Sequence, residues 1–469
     1  MTQETKKRLQ ERFQQLLDST DESPRTLFEI EKLTIELSEK LTQATLEEIS
    51  RDAQEQAEEE ISPTELTSKV CCPDCSRSAW YKGNRSRRVV TKKGILCFTR
   101  RYYYCKRCQH GFCPLDNRLG LSQKSDFTPL VVQEVAYLCA CLPFEQATQI
   151  LYRLAGVKVS ARSAERLCLS QADEQSTAFR EQRDTESLPL AFVPSSSLPA
   201  SLPHPEVLYI EADGVQTPLR GGQWHAQMPP RAFRKEMKVG VVRSEHKDGR
   251  EDKRSRYVNY LGNTQTFGSR LESLARAKLL NQLSQINCGS LTANVVVFLG
   301  DGAAWLWNLA QIRFPKAVQI LDFWHAFEYL GKVAREVFPD QEVCKDAWLT
   351  ARASEMKKSA WTQVHCALEA VRAIASESVE SAVRYFTNNR SRMDYANYLK
   401  RGLCIGSGLA ESSCKRLVTQ RLKGSGMHWS EKGAQAICSL RSLLLGGEWD
   451  VFLDFWNRRL QMLIPSPLS

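Results

Sequence analysis

The chain has 469 residues, 42% apolar and 25% charged, an ordinary balance for a soluble globular protein with room for two to four domains. It has no apolar run near the roughly 18 residues of a membrane span and no signal-peptide core in MTQETKKRLQERF, so a cytoplasmic protein with no membrane partner is expected. The net charge is +10 but unevenly spread: residues 1–70 are acidic, while 71–128 are strongly basic, which points to a polyanion partner, nucleic acid in the first place.

Residues 1–70 form a helical N-terminal region. Leu9, Phe13, Leu16 and Leu17, then Leu27, Ile30, Leu33, Ile35, Leu37 and Leu41, recur at helical spacing, with a break at Ser23-Pro24. Two helices are expected, serving either as a dimerisation arm or as a loosely packed hairpin. Sixteen cysteines are thinly spread apart from a cluster at 71–113, so metal binding is expected there and packing elsewhere. Residues 71–126 read as a zinc ribbon. Cys72-Pro-Asp-Cys75 and Cys105-Lys-Arg-Cys108 supply two thiolates each to one structural Zn2+, and strand-like runs at 86–90 and 95–104 fill the gap around a Lys-Lys-Gly turn. Arg85, Arg87, Arg88, Lys92, Lys93, Arg100 and Arg101, interleaved with Tyr102 to Tyr104, have the make-up of a nucleic-acid surface, with a protein-docking ribbon as the alternative.

Residues 127–183 read as a helical, helix-turn-helix-like DNA-binding region. Phe144 to Leu154 is amphipathic, Ala155-Gly156 ends it, and Ser160 can cap a second helix from Ala161. Arg162, Ser163, Glu165 and Arg166 would face DNA from that helix, unless the pair is an ordinary hairpin. The Pro- and Ser-rich stretch 184–206 is a linker.

Residues 207–325 alternate strand and helix. Strands are expected at 207–212, about 236–243, about 256–262 and 294–300, and a fifth ends at Asp322. No helix separates the first three, so the order fits an RNase H-like core better than a doubly wound sheet. Residues 326–402 read as an all-helical insertion, and 403–469 as C-terminal helices that return to the core. The expected fold class is thus an α/β RNase H-like catalytic domain with an all-helical insertion, preceded by a zinc ribbon and helical DNA-binding modules.

The motifs that carry chemistry lie in this half. VLYIEAD and NVVVFLGDG are short apolar strands that each lead into an Asp-Gly step, at Asp213 and Asp301. Acids on the rim of a sheet sit where α/β folds place ligands, and two of them on neighbouring strands repel unless a cation stands between. Gly406, Ser407 and Gly408 open a later helix with Glu411 in its first turn, and Lys415 and Arg416 close by as expected DNA contacts. Two Asp and a Glu converging from separate elements suit two Mg2+ ions per site, or Mn2+, for phosphodiester chemistry. Each Asp-Gly alone reads more readily as a turn than as a site. Trp305 and Trp307 are expected in the core rather than stacked on a base.

In order, IEADG, FLGDGAAWLW, ILDFWHA and GSGLAESSCKR resemble bacterial insertion-sequence transposases of the DDE type, nearest the Kra-type insertion sequences related to the Mutator-like transposase group. The resemblance spans about 206–450. It implies that Asp213, Asp301 and Glu411 are the metal-binding triad, that Asp322 and His325 match an Asp-x-x-His pair near the DNA, and that a helical insertion precedes the Glu. His325 would then contact phosphate or shuttle a proton, against a packed histidine on an apolar helix face. The function expected is a DNA transposase that binds transposon terminal repeats, cleaves and joins them to target DNA, and works as a homo-oligomer on DNA. An RNase H-like nuclease without joining activity, or a domesticated DNA-binding regulator, are the alternatives.

Overall fold

Leu- and Ile-rich runs spaced by charges make the first two elements of this computed structural model, which describes residues 1–19, 24–61, 69–121, 125–186, 207–220, 233–245, 255–285 and 295–462. Helix α1 (Gln3–Asp18) is capped by Thr2, whose hydroxyl accepts the Thr5 N–H at 3.2 Å, and lies antiparallel to α2 (Leu27–Ile61). Arg8 reaches the buried Glu48 at 3.1 Å and Arg12 reaches Glu47 at 3.0 Å. A four-stranded antiparallel sheet follows: β1 (Lys69–Cys71), β2 (Ser78–Thr91), β3 (Gly94–Cys105) and β4 (His110–Phe112). Gln43 and Gln54 of α2 donate to the Ile95 and Thr99 carbonyls, both at 3.2 Å, and so occupy part of the β3 edge.

Then come α3 (Pro114–Arg118), α4 (Pro129–Cys141), α5 (Phe144–Ala155), α6 (Ala161–Leu167) and α7 (Asp173–Glu186). Gly156 stops α5 at φ +67°, Val157 and Val159 anchor the turn in the core, and Ser160 caps α6 by accepting the Ser163 N–H at 3.1 Å. From position 187 the expected linker lies outside the described residues.

The second sheet holds β5 (Val207–Leu219), β6 (Phe233–Glu245), β7 (Arg256–Tyr260), β8 (Val295–Gly300) and β9 (Val318–Leu321) in the order β7-β6-β5-β8-β9. The first three strands are antiparallel neighbours, whereas β5–β8 and β8–β9 are parallel. Parallel neighbours need crossovers, and α8 (Thr264–Gln285) and α9 (Ala304–Arg313) supply them. Tyr209, Phe267, Phe298, Leu306 and Phe314 are buried in one core. Trp307 is buried with them and Trp305 packs against them half-buried. Between β9 and residue 402 the chain is all helix: α10 (Phe323–Val337), α11 (Glu342–Lys357), α12 (Trp361–Ala370), α13 (Ser376–Asn389) and α14 (Tyr395–Lys400). α15 (Gly408–Ser413) runs through a wide turn at Cys414–Thr419 into α16 (Gln420–Leu422), followed by α17 (Glu431–Leu445) and α18 (Trp449–Met462).

The chain divides into two compact units, Met1–Gln175 with the segment from Asp450, and Ser176–Trp449. This corrects the expectation that 403–469 as a whole returns to the second sheet. α17 does: Asn259 of β7 donates to the Cys438 carbonyl at 2.9 Å. α18 belongs to the first unit, where Gln133 of α4 donates to Asn457 at 2.8 Å. Gly447, at φ +65°, breaks what reads in sequence as one amphipathic run. Among the described residues no helix is long and apolar enough to cross a membrane.

Candidate active site and cysteine cluster

β5 does not end at Asp213, as its sequence suggested, but runs six residues further as a two-stranded ribbon with β6. Its pairing with the parallel partner β8 ends at Glu211–Leu299. Asp213 therefore stands just past the last residue flanked on both sides, and Asp301 directly follows β8, at the same end of the parallel pair. Each uses one carboxylate oxygen locally: Asp213 accepts the Gly214 N–H at 2.6 Å and Asp301 accepts the Ala303 N–H at 3.0 Å. Burial pushes the Asp213 carboxyl above the usual carboxylate range. The Gly214 N–H opposes this, the negative charge of Asp301 adds to it, and the Cys414 thiol and His325 oppose it. Two acids that feel each other's charge in a half-buried place favour a bound cation. His325 is exposed in the first turn of α10, close enough to act on Asp213, and is not packed in the core.

Glu411 lies exposed on α15, and α15 packs on β5 and β6. Among the described residues, the only groups of three or more acid, Cys or His side chains whose ligand atoms close within 4.8 Å are at the cysteine cluster. Asp213, Asp301 and Glu411 thus do not close on a single ion. A single Mg2+ would need its oxygens within about 4.2 Å of one another, whereas two ions about 4 Å apart spread their ligands more widely. The helix reaches Asp213 through Cys414, whose thiol bonds its carboxylate; Glu411 is three residues earlier, one turn away on the same side.

Two buried acids that the sequence reading did not place in these roles set the position of α15. Ser407 makes no cap with its own hydroxyl. Its N–H and Oγ both go to Asp322, the Oγ at 2.5 Å, and the Ala410 N–H goes to Glu211 at 3.0 Å. Asp322 also accepts the His325 N–H at 2.7 Å to cap α10. Buried at 5% exposure with both oxygens engaged, Asp322 is a brace between α10 and the GSG turn, three residues before the exposed His325. Glu211 is 1% exposed and bridged to Arg243 at 3.2 Å, while Arg243 lies 4.1 Å over the Tyr209 ring. A Glu two positions before Asp213 in an apolar strand was the available signal. Glu211→Ala removes the buried partner of Arg243 and should cost about 3 kcal/mol, the low end for such pairs because Glu245 also reaches Arg243. Glu211→Gln, which keeps an acceptor for Ala410, should cost less than half of that, and thermal unfolding of both variants measures the difference. On the other side, Tyr385 of α13 donates to the Asp301 carbonyl at 2.6 Å and stacks 4.0 Å from Tyr329. Gly302, at φ +97°, abuts that ring too closely for a Cβ, so the helical segment braces the Asp301 step and requires glycine after it.

In the first sheet, Cys72, Cys75, Cys105 and Cys108 bring all four sulfurs within 4.8 Å of one another, with Cys72–Cys108 at 3.9 Å and Cys75–Cys105 at 3.7 Å. Thiolates about 2.3 Å from a tetrahedral ion lie about 3.8 Å apart, so the set fits one metal ion. The Cys108 N–H holds the Cys105 thiol down, to about 7, towards the thiolate a metal needs. Ser76 and Gln109, the residues after each CxxC, take the left-handed conformation that closes both knuckles. Cys71 and Cys97 are exposed and Cys113 is buried, all outside the cluster, and His110 bonds Asp74 at 3.1 Å beside Cys72.

A model of the uncharacterised protein family UPF0236 matches residues 30–451. The chain belongs to that family. A UPF0236 protein encoded in the vanSb 3'region of Streptococcus gallolyticus is 25% identical over 374 residues, covering 78% of this chain and 74% of its own. The range matched to UPF0236 contains all four cluster cysteines and Asp213, Asp301, His325 and Glu411.

The basic residues of this UPF0236 chain divide into two groups. Arg87 is buried, bridged to Asp116 at 3.0 Å and bonded to the Ser125 carbonyl at 2.6 Å; Arg100 also bridges Asp116, and Lys92 meets Glu134 at 2.5 Å. The Lys92 pair lies at the surface with 39% of the lysine side chain exposed, whereas Arg87 and Arg100 are turned inward on Asp116, which corrects their expected place on a nucleic-acid surface. The cause is strand alternation: Arg87 shares the covered face of β2 with Val89 and Thr91. Arg85, Arg88, Lys93 and Arg101 are exposed, with the Arg85 guanidinium 3.4 Å over the Tyr102 ring. Arg162, Arg166, Lys415 and Arg416 are exposed as well.

Proposed function

We propose that this UPF0236 protein is a cytoplasmic DNA transposase with an RNase H-like catalytic core. The observation that carries the reading is the placement of Asp213 and Asp301 at one end of two adjacent parallel strands, with an acid-bearing helix packed across the same sheet. Three antiparallel strands followed by two parallel crossovers support the RNase H-like assignment. In this reading Asp213, Asp301 and Glu411 hold two Mg2+ or Mn2+ ions. Such ions would relieve charge on the attacking and leaving oxygens of a phosphodiester. His325, exposed beside Asp213, would hold a proton or a phosphate oxygen at the edge of the site. Lys415 and Arg416 would neutralise DNA phosphates on the helix that carries Glu411. The cysteine cluster would hold structural Zn2+, and the exposed Arg85, Arg88, Lys93 and Arg101, with Arg162 and Arg166 of α6, would hold the terminal repeats.

A strand-transfer assay with a pre-cut terminal repeat tests the joining step. Covalent linkage of the 3′ end to target DNA is expected with Mg2+ or Mn2+. Cleavage without joining would leave an RNase H-like nuclease in its place, and binding without either reaction would leave a regulator.

A further inference from the structure

The N-terminal hairpin leaves the start of its longer helix uncovered. α2 has 35 residues and α1 has 16, so they are about 52 Å and about 24 Å long. Polar contacts set their alignment: Thr2 lies at Asp52, Arg8 at Glu48 and Arg12 at Glu47, and Leu16 near the end of α1 shares a groove with Lys40. The first turns of α2, Leu27 to Glu36, therefore extend beyond α1. There Leu27 is 81% exposed, Phe28 74%, Ile35 53% and Ile30 46%.

This end is not left to fray. Thr26 Oγ accepts the Glu29 N–H at 3.2 Å, while Glu29 accepts the Thr26 N–H at 3.1 Å and the Arg25 N–H at 2.8 Å, a reciprocal cap. A capped helix that shows four large apolar side chains to water is built to be covered.

We propose that a second copy of this chain covers it, the two α2 overhangs packing against each other across a two-fold axis. Charge disfavours an anionic membrane, which selects helices with a cationic face: over residues 27–36 the one cation, Lys32, stands against Glu29, Glu31 and Glu36. Area fits a second copy. The four side chains, with Phe13 and Leu17 of α1 at 43% and 44% exposure, offer roughly 600 Å² of apolar surface per copy, close to the 800 Å² per partner of a standard interface once flanking polar atoms are included.

Sedimentation equilibrium of the full chain without DNA tests this independently of any catalytic reading. The unaltered protein should be a dimer at tens of micromolar, and a Leu27→Glu, Phe28→Glu double variant should dissociate at least tenfold more readily. Its circular dichroism should be unchanged, and its melting temperature should match the parent's at concentrations too low for either to dimerise, because within one copy both side chains are already in water. Ile312→Glu, at a 74% exposed position on α9, should leave the dimer intact. A monomeric unaltered protein, or a double variant that dimerises as tightly as its parent, overturns the proposal.

Discussion

Asp213→Asn should lower metal-dependent DNA strand cleavage by at least about a thousandfold and leave DNA binding within about twofold. The substitution removes a charge and little else. Asn keeps a side-chain oxygen for the Gly214 N–H, so the strand geometry at that step survives. It also ends a conflict, because Asp213 is held above its usual range by burial and by the charge of Asp301. Without added divalent cation the variant should therefore melt higher than the parent, by about 2–4 °C for each kcal/mol relieved. Asp301→Asn should match it in cleavage, and Glu411→Gln should do so without the gain in stability, since Glu411 is exposed. Nicking assays, gel shifts and calorimetry on the three variants supply the readouts. Parallel loss of binding and cleavage, with a lower melting temperature, would mean that these acids serve the fold alone.

The second large effect is expected at the cysteine cluster. The core of that sheet is small: Cys72, Ala79, Tyr103, Cys105 and Phe112, two of which are themselves cluster cysteines. Structural zinc contributes on the order of 10–16 kcal/mol in small modules of this kind, more than such a core supplies. One zinc per chain is expected by elemental analysis. Its removal, or Cys72→Ser, should open residues 69–113 to proteolysis and abolish terminal-repeat binding, while the transition of the Ser176–Trp449 unit persists. A metal-free chain that stays protected over 69–113 would exclude the role. Arg87 and Arg88 separate the contributions of this module. Arg87→Ala should destabilise it by breaking the Asp116 bridge, while Arg88→Ala should weaken DNA binding and lessen its salt dependence without affecting the fold.

Elements whose cause is local were legible in the residues. The CxxC pairs needed only spacing, the α5 stop needed Gly156, and the start of α6 needed Ser160. The β5 and β8 strands announced themselves by their apolar runs, VLYI and VVVFL, and with them came Asp213 and Asp301. The limits of the reading are as specific. Asp213-Gly214 looked like a strand end, yet β6 supplies hydrogen bonds that carry β5 on to Leu219. That Asp322 binds Ser407, 85 positions away, has no sign in the sequence around either residue. The residues of α18 carry no sign that the helix belongs to the first unit, because its partners there, such as Gln133, are more than 300 positions away.

By itself the sequence determined which residues could bear charge, bind metal or bend the backbone, because those properties belong to a side chain and its immediate neighbours. Only the tertiary structure decided which of the charges are buried. Arg87 and Arg88 differ in fate because another element covers one face of their strand, and Glu211 and Asp213, which share a face, because a distant donor arrives to meet only the first. Desolvation and hydrogen bonding act over a few ångströms of space, whatever the separation along the chain.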